Sequence, residues 1–372
     1  MNTERRKSDS IKNESSSFKT RKSLSPKRIP KKQIRSKSKK SMYVGIDLHK
    51  KFLQVAIMNN DGKVLQNKKV DNTHESIKKH FADIPIHANI VMESSSVWYD
   101  TYRFLTDELG YKNVTLSNPY LTKAIAASKK KTDKIDAKIL ADLLRGGYIA
   151  TCYVPNKKIV KHRQLVRYRK KLIQWRTAVK NSVHGILLQE GIRIPGVTFT
   201  ETYNRKLMSL DDYRIDGFVR QINHLNLQIA DINSKVYAAV KTSPDAIIIK
   251  SIPGIGDYSS LVISSEIADI DRFNDSHKLC AYAGVVPSVR NSADIIHHGS
   301  ITKRGSMTLR WVLTECVYAH TIHAKNSDIT KFYNRIKKKR GSSKAAVATA
   351  SKILRVIYWM LKERREFVQN YS

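Results

Sequence analysis

The sequence is poor in acidic residues and in cysteine, and both shortages narrow what the protein can bind. It has 32 Asp and Glu against 68 Lys and Arg, so its formal net charge is +36. Such an excess costs stability through self-repulsion unless a polyanion neutralises it. The three cysteines, Cys152, Cys280 and Cys316, are far apart, and no CxxC or Cys/His spacing predicts zinc. They fit a reduced cytosol as small buried hydrophobic residues.

The chain also lacks a long apolar run. No stretch approaches the ~20 residues that span a bilayer, and no basic-then-apolar signal peptide opens the chain. A membrane surface is therefore the weaker candidate for the polyanion. Nucleic acid is the better candidate, and its binding would weaken steeply with salt as counterions are released. We expect a cytoplasmic protein that binds nucleic acid and no membrane.

The composition changes along the chain and predicts four parts. Residues 1–41 hold 15 Lys and Arg but three Asp and Glu, so we expect a disordered basic tail. Residues 42–150 alternate apolar strands with amphipathic helices, which indicates an α/β domain with a mixed sheet. The strand signals stop beyond Pro155, so residues 151–242 and 243–372 are predicted to be two helical regions. The expected fold class is α/β plus all-α.

An apolar stripe in the first helical region repeats with alternating spacings of three and four residues. Its members are Ile215, Phe218, Ile222, Leu225, Ile229, Ile232 and Val236. The strongly polar faces between these positions favour a coiled coil that pairs two chains. An ordinary core-facing helix stripe is the alternative. We expect a homo-oligomer, either a dimer or, on DNA, a tetramer.

Four acidic residues stand where metal chemistry would need them. Asp47 lies inside an apolar strand and Glu93 ends another, where an unpaired carboxylate is costly. Asp133 and Asp136 are three residues apart on a predicted helix and so share a face. Together they predict an oxygen-rich cage for two Mg²⁺ ions about 4 Å apart. The alternative for Asp47 is that it caps a turn or pairs with a Lys. The alternative for Asp133 and Asp136 is a solvated helix face that forms salt bridges.

The segments around these carboxylates resemble a known family. Residues 43–50 (YVGIDLHK), 92–94 (MES) and 131–137 (KTDKIDA) are similar to motifs of the DEDD transposases of bacterial insertion sequences. The first domain of that family resembles the Holliday-junction resolvase RuvC. The resemblance covers nearly all of the chain from residue 42 onward. It implies a ribonuclease-H-like (RuvC-like) catalytic domain whose metal ligands are Asp47, Glu93, Asp133 and Asp136.

The segment 251–256 (SIPGIG) has helical sequence on both sides and predicts a helix–hairpin–helix. Backbone N–H groups of such a Gly turn, at the start of the next helix, can hold a DNA phosphate without reading base sequence. Pro253, Gly254 and Gly256 are the candidate DNA-binding residues. Gly-containing turns between helices are common, so an ordinary turn is the alternative.

Residues 280–310 resemble the second hallmark of the same family. The motif runs from Tyr-Ala-Gly and Pro, through a Ser, to Gly-x-Ile-x-Lys-x-Gly and Leu-Arg. In that family the Ser is the nucleophile that links covalently to cut DNA, and the spacing places it at Ser292. Ala293 stands where the family usually has Gly, and Ser288 is the second choice of nucleophile. A loop hydroxyl that only makes a turn bond is the alternative role for Ser292.

Three basic residues near this motif are expected to neutralise phosphate oxygens. They are Lys303, Arg304 and Arg310. A generic basic face is the alternative, because Lys and Arg occur throughout the chain.

The resemblance implies a Mg²⁺-dependent transposase that cuts and transfers DNA strands, with the carboxylate-held metal activating Ser292. It also implies bacterial, nucleoid-associated localisation and a structured RNA from the element's own end, which pairs with donor and target DNA. Only the basicity of this sequence agrees with the RNA. Piv-type invertases share the architecture. A RuvC-like junction-resolving nuclease and a non-catalytic, element-derived nucleic-acid-binding protein are the remaining alternatives.

Overall fold

The structure is a computed structural model that describes residues 41–125, 132–195, 198–292, 295–301 and 305–368. The basic tail predicted for residues 1–41 lies outside these ranges except for Ser41, as do Lys303 and Arg304. The chain divides into two compact units, with the boundary between Tyr153 and Val154. Among the described residues, no helix combines the length and apolar character that crossing a membrane requires.

The first unit is an α/β structure, as the sequence predicts. Its strands are β1 Tyr43–Leu48, β2 Phe52–Met58, β3 Val64–Asp71, β4 Asn89–Glu93, β5 Val114–Ser117 and β6 Thr151–Cys152. Its helices are α1 His74–Phe81, α2 Trp98–Arg103 with a π-helical turn Phe104–Glu108, α3 Pro119–Ile125 and α4 Asp133–Arg145.

The six strands of this unit form one mixed sheet in the order β3-β2-β1-β4-β5-β6. β1, β2 and β3 pair antiparallel, whereas β1, β4 and β5 pair parallel and β6 closes the edge antiparallel to β5. The central strands are almost wholly buried apolar residues, which is typical of a sheet covered on both faces. The predicted mixed sheet is confirmed, and the parallel pairing places the ends of β1 and β4 side by side.

Helices form most of the second unit. They are α5 Lys157–Gln189, α6 Glu201–Met208, α7 Tyr213–Lys241, α8 Pro244–Lys250, α9 Asp257–Ile267, α10 Ser276–Ala283, α11 Met307–His323, α12 Asp328–Arg340 and α13 Ser342–Glu363. One core joins α8 to α13 with parts of α5 and α7. A second core lies between α5, α6 and α7.

The apolar stripe on α7 faces the inside of this unit. Six of its seven members are buried. Five of these share a core with Leu172, Val179 and Val183 of α5, and Val236 belongs to the core that joins α8 to α13. The prediction that the stripe pairs two chains is therefore wrong. Apolar residues on α5 cover the stripe within the same chain, which was the alternative considered from the sequence. The physical reason is that a heptad seam is satisfied by any apolar helix of matching spacing, in the same chain or another.

A short antiparallel hairpin interrupts the helices of the second unit. β7 Pro287–Ser292 pairs with β8 Ile295–Ile301, with a register shift between Pro287 and Val289. The expectation of an entirely helical region beyond Pro155 is wrong at this point. The β-branched residues Val289, Ile295 and Ile296 on either side of a short polar turn were the available signal.

Candidate functional site

The carboxylates of Asp47 and Asp133 both lie beside the imidazole of His49. The Nε2 atom of His49 is 3.1 Å from Asp47 Oδ2 and 3.5 Å from Asp133 Oδ1. One ligand atom of each residue lies within 4.8 Å of those of the other two. The group is therefore compact enough to hold a single metal ion.

The close approach of α4 to β1 depends on Gly45. A Cβ atom at this position would be 2.1 Å from the carbonyl oxygen of Ala137 and 2.6 Å from the backbone nitrogen of Ala141. Because no side chain fits there, the backbone of α4 packs directly on the strand. Gly45 precedes Asp47 by two residues and Ala137 follows Asp136, so this contact brings the two acidic segments together.

The start of α4 is also fixed locally. The Oγ1 atom of Thr132 accepts a hydrogen bond from the backbone N–H of Ile135 at 3.3 Å and so caps the helix. Asp133 and Asp136 lie in the first turn, where the helix dipole favours negative charge. On the sheet side, Asn67 of β3 donates a hydrogen bond to the carbonyl oxygen of Lys134 at 2.9 Å. The cap and the helix dipole therefore favour two carboxylates in the first turn of α4.

The surroundings of Asp47 shift the pKa of its carboxyl group. Burial raises its pKa, the hydrogen bond and the charge of His49 lower it, and the negative charges of Asp133 and Asp136 raise it again. The net direction is upward, so the ionised form of Asp47 is costly as the residues stand. A bound cation would offset this cost, because it would favour the ionised form of all three carboxylates.

Asp136 and Glu93 are placed less tightly than Asp133. Neither belongs to the compact group, although Asp136 is close enough to Asp47 to raise its pKa. Glu93 ends β4, and the last residue pair of β1 with β4 is Ile46 with Met92. Asp47 and Glu93 are therefore the next residues along two adjacent parallel strands. The four predicted ligands converge on one region of the sheet, with Asp47 and Asp133 the closest pair to His49.

His49 is the site residue that the sequence analysis missed. Its ring stacks on Phe52 at 4.5 Å between centroids, and its carbonyl oxygen accepts a hydrogen bond from the side chain of Asn72 at 3.0 Å. These contacts hold the imidazole against the carboxylates. The available signal was its position two residues after Asp47, because alternate residues of an extended segment share a face.

The side chains of this group fit a divalent cation. Carboxylate oxygens are the ligands that Mg²⁺ prefers, and an imidazole is also accepted by transition-metal ions such as Mn²⁺. Asp47 is partly buried, and a buried carboxylate is costly unless a positive charge lies near it, so a bound cation would offset the burial that raises its pKa.

Ser292 is the last residue of β7 and pairs with Ile295 at the end of the hairpin. It therefore stands at the hairpin tip and not in an irregular loop. Ser288 lies near the other end of β7, beside the register shift at Pro287. The strand separates the two candidate nucleophiles by four residues, so only Ser292 stands beside the turn.

Arg310 is the one described member of the predicted phosphate-binding trio. Its Nη1 atom donates a hydrogen bond to the carbonyl oxygen of Ala283 at 3.2 Å, and the side chain is half-buried. Arg310 therefore has a contact that joins α11 to the end of α10. Lys303 and Arg304 lie outside the described residues.

The Gly turn between α8 and α9 packs against α11. Gly254 has φ +87°, and a Cβ atom there would be 2.5 Å from the backbone nitrogen of His320. The carbonyl oxygen of Pro253 accepts a hydrogen bond from Nδ1 of the buried His320 at 2.8 Å. By contrast, Gly256 has open space beside it and caps the start of α9. The close packing of Gly254 thus has an internal cause, and Gly256 is the glycine whose surroundings leave room for a ligand.

Two family models match the chain in succession. The model for the DEDD domain of IS110-type elements, described as “Transposase”, matches residues 44–191. The model described as “Transposase IS116/IS110/IS902 family” matches residues 246–334. The first match contains the four carboxylates and His49, and the second contains the Gly turn and the β7–β8 hairpin.

Curated proteins that resemble this chain carry related names. The chain is 25% identical over 351 residues to “Transposase for insertion sequence element IS1111A” of Coxiella burnetii (strain RSA 493 / Nine Mile phase I), covering 90% of this chain and 93% of that protein. It is 25% identical to “Putative transposase y4qE” of Sinorhizobium fredii (strain NBRC 101917 / NGR234), covering 75% and 71%. It is 23% identical to “Transposase for insertion sequence element IS1328” of Yersinia enterocolitica, covering 85% and 95%.

Proposed function

The chain belongs to the transposase family of the insertion sequences IS110, IS116 and IS902, and from this premise we propose that it cuts and rejoins DNA with two separate groups of residues. One group is the carboxylate cluster of the first unit, and the other is the β7–β8 hairpin, whose first strand ends at Ser292. The observation that carries the proposal is the grouping of Asp47, His49 and Asp133 within 4.8 Å inside the segment that the DEDD model matches.

The carboxylates would hold divalent cations, with two Mg²⁺ as the expected ions. The ligands would be Asp47, Glu93, Asp133 and Asp136. When bound, such cations would stabilise the negative charge that develops on phosphate oxygens. His49 would orient the carboxylates of Asp47 and Asp133, since its Nε2 atom lies beside both. The raised pKa of Asp47 supports a bound cation, because burial, its largest cause, makes the ionised carboxylate costly without a positive charge nearby.

Ser292 would be the nucleophile. Its oxygen would form a phosphoester bond with the DNA phosphorus as the P–O bond to the departing strand breaks, and the serine proton would end on the departing oxygen. This exchange retains the phosphodiester energy for rejoining, which hydrolysis by water would lose. A free serine hydroxyl is a poor nucleophile and needs activation by a base or a metal. The proposal rests on the motif around Ser292 and on its place at the hairpin tip.

The proposed partners are DNA and a structured RNA encoded by the element. The net charge of +36 supports a polyanionic partner. Proposed phosphate contacts are Pro253, Gly254, Gly256, Lys303, Arg304 and Arg310. An oligomer on DNA remains part of the proposal, but it would need a surface other than the covered stripe of α7. The proposed location is the bacterial cytoplasm, on the nucleoid.

Two other activities use parts of the same residues. A junction-resolving nuclease would need the carboxylates but would use water as its nucleophile, so it has no need of Ser292. A site-specific invertase would use both groups and would differ in its DNA substrate. A covalent protein–DNA intermediate would exclude the junction-resolving nuclease. The sequence of the cut sites would distinguish a site-specific invertase from a transposase.

The test is covalent capture of labelled element-end DNA in Mg²⁺, with any RNA that co-purifies retained. Wild-type protein should give a shifted, protease-sensitive band on denaturing electrophoresis. Ser292→Ala should give none while binding the DNA almost as well, because one hydroxyl is a small part of a highly basic interface. Asp47→Asn should also lose the adduct, and its thermal midpoint should no longer rise on addition of Mg²⁺.

Three outcomes would contradict the proposal. An adduct that survives in Ser292→Ala would move the nucleophile, with Ser288 the next residue to replace. Clean cleavage without an adduct in wild type would favour the hydrolytic nuclease. Activity above about 10% of wild type in Asp47→Asn would show that this carboxylate is structural.

A further inference from the structure

Glu266 is a buried carboxylate in the second unit that the proposed chemistry does not use. It lies in the last turn of α9, and its side chain is 4% exposed. Burying an ionised carboxylate is costly unless it is paired and hydrogen-bonded. The partners of the Glu266 carboxylate are Ser306, at the base of the β7–β8 hairpin, and Arg167 of α5.

The segment between α10 and α11, residues 284–306, contains the β7–β8 hairpin and is called the hairpin segment here. The Glu266 carboxylate binds Ser306, the last residue of this segment. The hydroxyl of Ser306 donates a hydrogen bond to Glu266 Oε2 at 3.0 Å. The same hydroxyl accepts the backbone N–H of Leu309 at 3.1 Å, so Ser306 is also the N-cap of α11. Glu266 thus fixes the start of α11, which directly follows the hairpin segment.

The other end of the hairpin segment is bound to the same residue. Tyr282 lies at the end of α10, just before β7, and its hydroxyl donates to the carbonyl oxygen of Glu266 at 3.3 Å. The backbone N–H of Ser306 donates to the carbonyl oxygen of Tyr282 at 2.9 Å, which joins the two ends directly. We call Glu266, Tyr282 and Ser306 the hairpin clamp.

Gly305 lets the two ends of the clamp meet. It has φ +111°, and a Cβ atom there would be 2.0 Å from the carbonyl oxygen of Tyr282. No other residue could take this conformation at such a distance without moving the backbone. Glycine at position 305 therefore allows the close approach that brings the backbone N–H of Ser306 to the carbonyl oxygen of Tyr282.

Arginines on neighbouring elements complete the surroundings of Glu266. Arg167 of α5 lies 3.1 Å from Glu266 Oε1 and balances its charge. Arg163 and Arg272 donate to the carbonyl oxygen of Glu266 at 3.2 and 3.3 Å, which satisfies an end of α9 that has no helical partner. The guanidinium of Arg272 also lies 4.4 Å from the centre of the Tyr282 ring. The clamp is therefore held from α5, α9 and α10 together.

We propose that Glu266 is a positioning residue for strand transfer, which holds both ends of the hairpin segment so that Ser292 is presented in one place. This inference rests on the proposed role of Ser292. A hairpin with free ends would sample many orientations, and a misplaced nucleophile loses most of its rate advantage. The clamp acts through the backbone at residues 282 and 306, so Glu266 need not touch DNA.

Two measurements on the full-length protein test the clamp. Hydrogen–deuterium exchange reports the protection of the backbone amides in β7 and β8, and the adduct assay at saturating DNA reports the rate of joining. Glu266→Gln keeps the shape but removes the charge, so β7–β8 exchange should accelerate and the adduct rate should fall by about tenfold or more. DNA affinity should change much less than the rate.

Ser306→Ala and Ser306→Thr give a second pair of variants that removes or keeps one hydroxyl. The alanine variant should reproduce the defects of Glu266→Gln, and the threonine variant should restore most of the protection and rate. Thr200→Ala is the matched control, because Thr200 caps α6 by the same contact at 3.2 Å but lies away from the hairpin segment in the sequence. It should lower the thermal midpoint without changing β7–β8 exchange or the adduct rate.

The outcomes separate the clamp from the serine chemistry. Unchanged β7–β8 exchange in Glu266→Gln, or equal effects of Ser306→Ala and Thr200→Ala, would overturn the clamp even if wild type forms the adduct. If wild type forms no adduct, the proposed nucleophile fails, and the exchange measurement alone decides whether Glu266 holds the hairpin. If Glu266→Gln does not fold, the two Ser306 variants carry the test.

Discussion

At the scale of single residues, β1 carries a steric constraint at Gly45 and an electrostatic one at Asp47. Gly45 is required because the carbonyl oxygen of Ala137 occupies the place of a side chain, and Asp47 carries a raised pKa because burial and two carboxylates act on it. These two facts are linked. The contact that excludes a Cβ at Gly45 also brings Asp133 and Asp136 near Asp47, where their negative charges add to the effect of burial on the pKa of Asp47.

Gly45→Ala should disturb this group. The new methyl would meet the α4 backbone at 2.1 Å, so the helix must shift, and we expect a loss of about 1–3 kcal/mol in the free energy of unfolding. The upward shift of the thermal midpoint by Mg²⁺ should shrink as well, because the carboxylates of α4 move relative to Asp47. Thermal denaturation with and without Mg²⁺ measures both effects.

Gly185→Ala is the matched control for this change. Gly185 lies inside α5 with nothing within 4 Å of an added Cβ, so alanine should leave stability unchanged or raise it by up to about 1 kcal/mol. Equal stability of Gly45→Ala and wild type would show that α4 does not pack on β1 as described.

Element-scale packing decides the meaning of the α7 stripe. Its spacing is that of a coiled-coil seam, and it is buried against α5 and α6 of the same chain. Periodicity specifies which face of a helix is apolar but not which helix covers it. The same limit applies to the β7–β8 hairpin, whose short strands gain stability from pairing with each other and carry little signal individually.

Ile222→Ala should destabilise the second unit and leave the particle size unchanged. Ile222 is fully buried on the stripe, so its truncation should cost about 2–5 kcal/mol. Leu227→Ala on the same helix is the control, because Leu227 is 72% exposed and should cost less than about 0.5 kcal/mol. Chemical denaturation gives the stability, and light scattering gives the mass. A folded Ile222→Ala variant of smaller mass than wild type would return the stripe to the role of a seam between chains.

Whole-molecule charge is concentrated unevenly. α5 contains ten Lys and Arg and no Asp or Glu in 33 residues, whereas α7 carries acidic residues among its basic ones. Part of this charge is bound internally, as at Arg163 and Arg167, and part is exposed, as at Lys171. The exposed part is available to a polyanion, so we expect α5 to contribute to the DNA interface.

DNA binding should therefore depend steeply on salt, falling by about a thousandfold or more between 50 and 200 mM. Lys171→Gln should weaken binding and lower the slope of log K against log salt by about 1 if Lys171 contacts a phosphate. Lys235→Gln on α7 is the control, because Lys235 pairs with Asp231 at 2.7 Å and should leave the slope unchanged. Fluorescence anisotropy across a salt series measures all three slopes, and equal slopes for Lys171→Gln and wild type would remove α5 from the interface.

The sequence by itself determined the class of the first unit and predicted its candidate metal ligands. Asp47 and Glu93 are recognisable because a carboxylate in or at the end of an apolar strand is costly without a purpose, and Asp133 and Asp136 because their spacing puts them on one helix face. Such signals are local, so they can be read from a few neighbouring residues. The mixed sheet follows in the same way, from the alternation of strand and helix patterns.

Only the tertiary structure decided which residues meet. His49 joins Asp47 and Asp133, Gly45 admits α4, α5 covers the stripe of α7, and Glu266 binds both Tyr282 and Ser306. Each of these contacts joins residues far apart in the chain or depends on a distance that no local pattern encodes. The physical reason is that burial and charge balance are properties of the packed molecule. The burial of Glu266 cannot be inferred from its sequence neighbours, because the residues that contact its side chain come from other helices.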